Sequence, residues 1–100
     1  MKSLFAFAGL SVACLVHAAP PTDAERTVGY YAANCFNCHG TEGKAVSAIP
    51  AIAGRDRQYL EETLKAFKAG TKSATIMHQL AKGYTDEELA ALADYFSRRQ

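Results

Sequence analysis

The sequence predicts a small all-α fold, three main helices joined by short turns. Three observations carry that expectation: apolar residues recur at the helical spacing i, i+3, i+4 and i+7 in three separate segments, no alternating run is long enough for a strand, and capping sequences mark two of the helix starts. Length and composition agree. At 100 residues, 49% hydrophobic and 21% charged, with seven Gly and three Pro, the chain has the makeup of one globular domain and not of a disordered or collagen-like polymer. It shows no internal repeat and no second domain.

The first helix begins at Thr22-Asp23-Ala24-Glu25, a capping box, and places Val28, Tyr31, Ala32 and Cys35 on one face. The second is expected from about Asp56 to Ala69, with Tyr59, Leu60, Thr63, Leu64 and Phe67 on one face and Gly70 at the stop. The third opens on a second capping box, Thr85-Asp86-Glu87-Glu88, carries Leu89, Leu92, Ala93 and Phe96, and ends near Arg98 and Arg99, whose charge suits a helix C-terminus. Glu61 and Glu62, like Asp86 to Glu88, read as helix N-terminal charges and not as catalytic carboxylates. A bundle this short cannot bury three apolar stripes by mutual contact alone. The core is therefore expected to form around a large ligand, and the polypeptide without it to fold poorly.

The N-terminus predicts export. Lys2, the apolar run Leu4 to Val16 and the small residues of Val16-His17-Ala18-Ala19 have the order of a cleavable signal. The run of about 13 residues is shorter than the ~20 that span a bilayer as a helix. Residues 1–19 are thus expected to be a cleaved signal peptide and 20–100 one domain, delivered to the periplasm without a permanent membrane anchor. Cys14 raises lipid attachment as an alternative, but Ser11 stands where a lipoprotein signal has Leu or another aliphatic residue, which favours a Cys lost with the signal. Loss of Lys2 takes the 11 basic residues to 10, against 10 acidic ones. A neutral domain is a poor nucleic-acid binder.

Cleavage leaves two cysteines, both in Cys35-Phe36-Asn37-Cys38-His39, the pattern by which haem is attached covalently. Two thiols three positions apart at a helix end can each add to one haem vinyl group, and His39, next in sequence, lies beneath the iron and coordinates it through a ring nitrogen. A redox dithiol is the first alternative, and it would want a βαβ pattern around it. A zinc site is the second, for which only His78 could complete four nitrogen and sulfur ligands. The iron's other axial position points to Met77, the one methionine left after the signal, in a loop between the second helix and a short Ile76 to Lys82 stretch. A thioether favours reduced iron and raises the potential. His78 competes with Met77, but adjacent residues cannot both face the iron from a regular backbone. Pro50, 11 residues after His39, suggests a loop carbonyl that orients the His39 ring, or simply a turn proline.

On Cys35-x-x-Cys38-His39-Gly40, the Ile49-Pro50 loop, the Met77 loop and the closing amphipathic helix, the mature chain resembles the class I cytochromes c along essentially its whole length. The resemblance implies an all-α fold packed around one covalent, low-spin haem c. It also implies His39 and Met77 as the metal ligands, Pro50 offering its carbonyl to His39, and N- and C-terminal helices that cross with the Tyr31 face against Leu92 and Phe96. One departure is Thr27, where the family often has a Gly eight residues before the first haem Cys, with Gly29 nearby.

The segments Ile49 to Gly54, Tyr59-Leu60, Phe67 to Gly70, Ala74 to Met77 and Ala81 to Glu88 are similar to the cytochrome subunit of flavocytochrome c sulfide dehydrogenases. That subunit takes electrons from a flavoprotein in the periplasm. Its better known forms carry two haem domains, whereas this chain has a single C-x-x-C-H. The implied function is outer-sphere, one-electron transfer by a protein that is not itself an enzyme, docking briefly on a redox partner such as a flavoprotein sulfide dehydrogenase. The alternatives are a free shuttle to a terminal oxidase or other reductase, and an open-site haem peroxidase or sensor. Lys44, Lys65, Lys68, Lys72 and Lys82 either rim the haem crevice and steer an acidic partner or are ordinary solvated lysines.

Overall fold

The computed structural model describes Gly9, Leu15 and residues 17–100, so the expected signal segment, with Lys2 and Cys14, lies almost wholly outside the described residues. Helix α1, Asp23–His39, starts at the expected capping box: the Thr22 hydroxyl accepts the Glu25 N–H at 3.2 Å, and the Glu25 carboxylate accepts the Thr22 N–H at 2.7 Å. A 3-10 turn, Thr41–Gly43, follows. Helix α2, Arg57–Ala69, is capped by the Asp56 carboxylate, which accepts from the Tyr59 N–H, and stops at Gly70 in the left-handed region, φ 76°. Helix α3 is Met77–Ala81, and α4, Asp86–Ser97, begins at the second capping box. Among the described residues there is no strand.

Met77 therefore opens a fourth, one-turn helix instead of sitting in a loop. The Ile76 carbonyl accepts from the N–H groups of Gln79 and Leu80 at 2.9 and 3.1 Å, which starts the turn. Five residues are too few to display a 3.6-residue period, so this element left no pattern to read.

Helix α4 is the centre of the packing. It supplies Leu89, Leu92, Ala93, Tyr95 and Phe96 to the buried core, and both α1 and α2 lie against it, while α3 packs on α2. The crossing of α1 and α4 does not use the position of Thr27, which is exposed and turns its hydroxyl back to the Asp23 carbonyl at 2.8 Å. Nor does it require Gly29, where an added Cβ would meet Tyr95 at an ordinary 4.0 Å. Two small residues, Ala32 of α1 and Ala93 of α4, are both completely buried in the core these helices share. Tyr31 joins the same core as Leu92 and Phe96, although its edge-on partners are Tyr30 and Tyr84; Phe96 meets Phe36 and Tyr95, with ring centroids 6.2 and 5.2 Å apart.

The turn after α1 is closely fitted to α4. Gly43 has φ 78°, and a Cβ there would stand 2.8 Å from Phe96 Cδ1 and 2.9 Å from Ile52 Cγ1. Its carbonyl accepts the N–H groups of Ile52 and Ala53, which draws the following loop back under α1. Gly43→Ala combines backbone strain with overpacking against a rigid ring, so unfolding of the holoprotein in urea should show a loss of about 3 kcal/mol.

A single ion pair joins α2 to α4, Lys68 Nζ to Asp86 Oδ1 at 2.9 Å. The hydrogen bond from Lys68, with its charge, holds the Asp86 carboxyl below its ordinary value of 3.8. A carboxyl with a lowered folded value contributes stability above its unfolded value and loses it as the pH falls through the folded one. The small stability advantage of wild type over Lys68→Met should thus be present at neutral pH and fade as the pH falls below the carboxyl's ordinary value of 3.8, as read from urea midpoints.

Candidate functional site

The apolar face of α2 is only partly buried against protein, through Leu60 and Leu64. Tyr59, Thr63, Leu64 and Phe67 look into a cleft of about 630 Å³ whose other walls are the end of α1, the loop around Pro50, α3 and the Ala93–Phe96 edge of α4. That volume falls within the range of small-molecule and cofactor sites. Cys35, Cys38, His39, Pro50 and Met77 all line it.

The helical period explains the first three. Residues at i, i+3 and i+4 share a face, so Cys35, Cys38 and His39 arrive together on the last turn of α1. Both thiols are free; Cys35 is half-buried and Cys38 exposed. Burial pushes the Cys35 thiol above its ordinary value, the opposite of the lowered thiol that a redox Cys-x-x-Cys pair needs. Among the described residues no three His, Cys, Asp or Glu side chains converge as a metal cluster.

The loop carbonyl is where the spacing suggested. His39 Nδ1 lies 2.6 Å from the Pro50 carbonyl oxygen. A carbonyl can only accept, so Nδ1 carries the proton and the lone pair is on Nε2, the tautomer that a metal-ligating imidazole requires. Gly40, with φ 81°, makes the tight turn between the ring and its acceptor loop; a Cβ there would strike the Ala45 backbone at 2.8 Å.

Met77 is half-buried at the start of α3 and lines the cleft, flanked by Ile76 and Leu80. His78 is not among the lining residues. Helix geometry separates neighbouring side chains by about 100°, which gives Met77 the cleft and turns His78 away.

Among the described residues the charged side chains on the cleft are Arg55 and Lys72. Arg55 Nε donates to the Ala51 carbonyl at 3.0 Å and its guanidinium sits 6.0 Å from the Tyr59 ring; Lys72 Nζ is 5.9 Å from the Phe67 ring. The lysines grouped by sequence thus divide. Lys65 is held by Glu61 at 2.7 Å and Lys68 by Asp86, and of the five only Lys72 borders the cleft. Glu61 is not a helix-end charge: it lies between Arg57 and Lys65, and Glu62 accepts from Gln58, so both are tied within α2. Arg55 escaped sequence reading because no spacing rule links it to the motif.

These residues fit a haem. A flat apolar wall, two thiols, an imidazole with its free nitrogen defined, a thioether and two cations match a porphyrin that carries two vinyl groups, an iron and two carboxylates. The model of the family described as cytochrome C oxidase, cbb3-type, subunit III matches residues 22–96. The chain belongs to the class I cytochromes c.

Among similar proteins, the cytochrome subunit of sulfide dehydrogenase from Chlorobaculum tepidum is 46% identical over 63 residues, which is 63% of this chain and 57% of that protein. Cytochrome c-554(548) of Halomonas halodenitrificans is 36% identical over 70 residues, 66% of this chain and 84% of that one. The thiosulfate dehydrogenase electron acceptor of Stutzerimonas stutzeri is 37% identical, with 31% of its length covered. The chain therefore spans little more than half of the Chlorobaculum protein and about a third of the Stutzerimonas one. Membership implies haem c, and the relatives are cytochromes or, by name, an electron acceptor, which makes the chain an electron-transfer protein. The all-α class I fold expected from the sequence is the one observed. No described helix of this cytochrome is long and apolar enough to cross a membrane.

Proposed function

We propose that this cytochrome is an exported one-electron carrier with a single haem held by thioethers to Cys35 and Cys38 and ligated by His39 Nε2 and Met77 Sδ. Residues 1–19 would direct it to the periplasm as a cleaved signal, and 20–100 form the working domain. The observation that carries the reading is the His39 hydrogen bond to Pro50 in a cleft that Met77 also lines. It leaves one imidazole nitrogen and one thioether for the same occupant. When bound, the haem supplies an Fe(III)/Fe(II) couple. The chain's own part is to fix the imidazole, to surround the site with the apolar face of α2 and so exclude water, and to keep Arg55 and Lys72 at the rim.

The proposed electron donor is a flavoprotein sulfide dehydrogenase, by similarity to a protein named as the cytochrome subunit of such an enzyme. A free shuttle is the same chemistry with a different partner. Docking would use the apolar rim formed by Ile49, Tyr59, Ile76 and Leu80, each between 41% and 51% exposed. Such a small patch suits a brief redox encounter.

Ligation is tested by near-infrared absorption of the oxidised holoprotein. A methionine-to-iron band is expected in wild type and His78→Ala and absent from Met77→Ala; a high-spin wild type that binds carbon monoxide readily would establish an open site instead. The partner is tested by sulfide-dependent haem reduction. Adding the flavoprotein should accelerate it at least tenfold, about the range over which specific docking raises association rates; an unchanged rate would leave a generic carrier.

A further inference from the structure

The turn that follows the haem motif is tied to the end of α4 by a cluster outside the cleft. Glu42 has φ 57°, the one positive φ of a non-glycine residue among those described, and so sits in a conformation that L side chains rarely adopt. Its carboxylate accepts from the Tyr95 hydroxyl, with Oε1 and Oε2 at 3.3 and 3.2 Å. Arg99 Nε lies 3.1 Å from Oε2 as an ion pair, and the guanidinium stacks 3.7 Å from the Tyr95 ring. Burial, reinforced by the Glu42 charge against the opposing Arg99 cation, keeps the Tyr95 phenol above its ordinary value, so it stays the donor.

The cluster holds more than its own residues. Gly43, next to Glu42, offers the carbonyl that takes the N–H groups of Ile52 and Ala53 at 2.9 and 3.1 Å. Two residues further, the Gly54 N–H donates to the Phe96 carbonyl at 2.9 Å, beside Tyr95. The loop carrying Pro50 is thus pinned through Gly43 and Gly54 to the segment that Glu42, Tyr95 and Arg99 bind together. His39 Nδ1 donates to that loop. A strained backbone persists only where its surroundings over-determine it, and the two partners of one carboxylate, the Tyr95 hydroxyl and the Arg99 guanidinium, do so here.

We infer that Glu42 is a positioning residue for His39, acting through Gly43 and the Pro50 loop to hold the Pro50 carbonyl within hydrogen-bond reach of Nδ1. The inference rests on the ligation reading above. A firmly accepted Nδ1 proton makes the imidazole a stronger donor to iron and favours Fe(III), so loosening the loop raises the reduction potential.

The test uses holocytochrome and two readouts: exchange of the His39 Nδ1 proton, followed by nitrogen-15 NMR, and the midpoint potential. Tyr95→Phe keeps every charge and the ring packing, Arg99→Gln removes a cation, Glu42→Gln removes an anion, and Glu42→Gly relieves the backbone strain while losing the anchor. All four should speed exchange by about fivefold, the scale of one net hydrogen bond, and all four should raise the potential. A field effect alone would lower the potential in Arg99→Gln, raise it in both Glu42 variants and leave Tyr95→Phe unchanged. A packing role alone would lower the melting temperature and move neither readout. Either pattern overturns the inference. If wild type itself lacks the resonance of an iron-bound imidazole N–H, the ligation reading has failed; a normal wild-type resonance with unmoved variants sinks only the role of Glu42.

Discussion

The hydrogen bond between His39 Nδ1 and the Pro50 carbonyl is the contact on which the site depends. It joins the last residue of α1 to a loop 11 residues on, and it defines the imidazole tautomer without any charged partner. Everything around it serves that geometry. Gly40 turns the chain away from the helix, Gly43 passes close beneath Phe96, and the Gly43 carbonyl gathers the returning strand of loop. Had an acidic side chain replaced the carbonyl, the ring would carry more imidazolate character; a backbone acceptor gives a neutral, well-oriented donor.

The distribution of apolar surface explains why such a small domain needs this site. The core gathers on one side of α4, where Leu89, Leu92, Ala93, Tyr95 and Phe96 meet α1 and the inner edge of α2. The remaining face of α2 is turned to the cleft, with Tyr59 about half exposed. That face has helical periodicity because it packs, yet its packing partner is not another helix. A porphyrin in the cleft would complete the core, which ties stability to cofactor retention.

Legibility followed the range of the interaction. The capping boxes at Thr22 and Thr85 and the Gly70 stop were readable because each is decided within four residues. Pro50 was readable because a chain must return to a helix-end histidine and the Ile49-Pro50 loop is close in sequence. The lysines were not sorted, since whether Lys65 and Lys68 face a partner or a neighbouring carboxylate depends on rotamers and on how α2 meets α4. The cluster of Glu42, Tyr95 and Arg99 left no signal: 53 residues separate Glu42 from Tyr95, and Arg99 read only as a charge at a helix C-terminus.

The amino-acid sequence determined the helical class, the shared face of Cys35, Cys38 and His39, and the family, because periodicity and motif spacing are properties of the local chain. Tertiary structure decided that Met77 and not His78 lines the cleft, that Ala32 and Ala93 are completely buried in the core, and that Arg55 and Lys72 are the charged residues described on the cleft. Those outcomes depend on how helices rotate and cross, and the rotation is set by the joint packing of α1 and α2 on α4 and of α3 on α2.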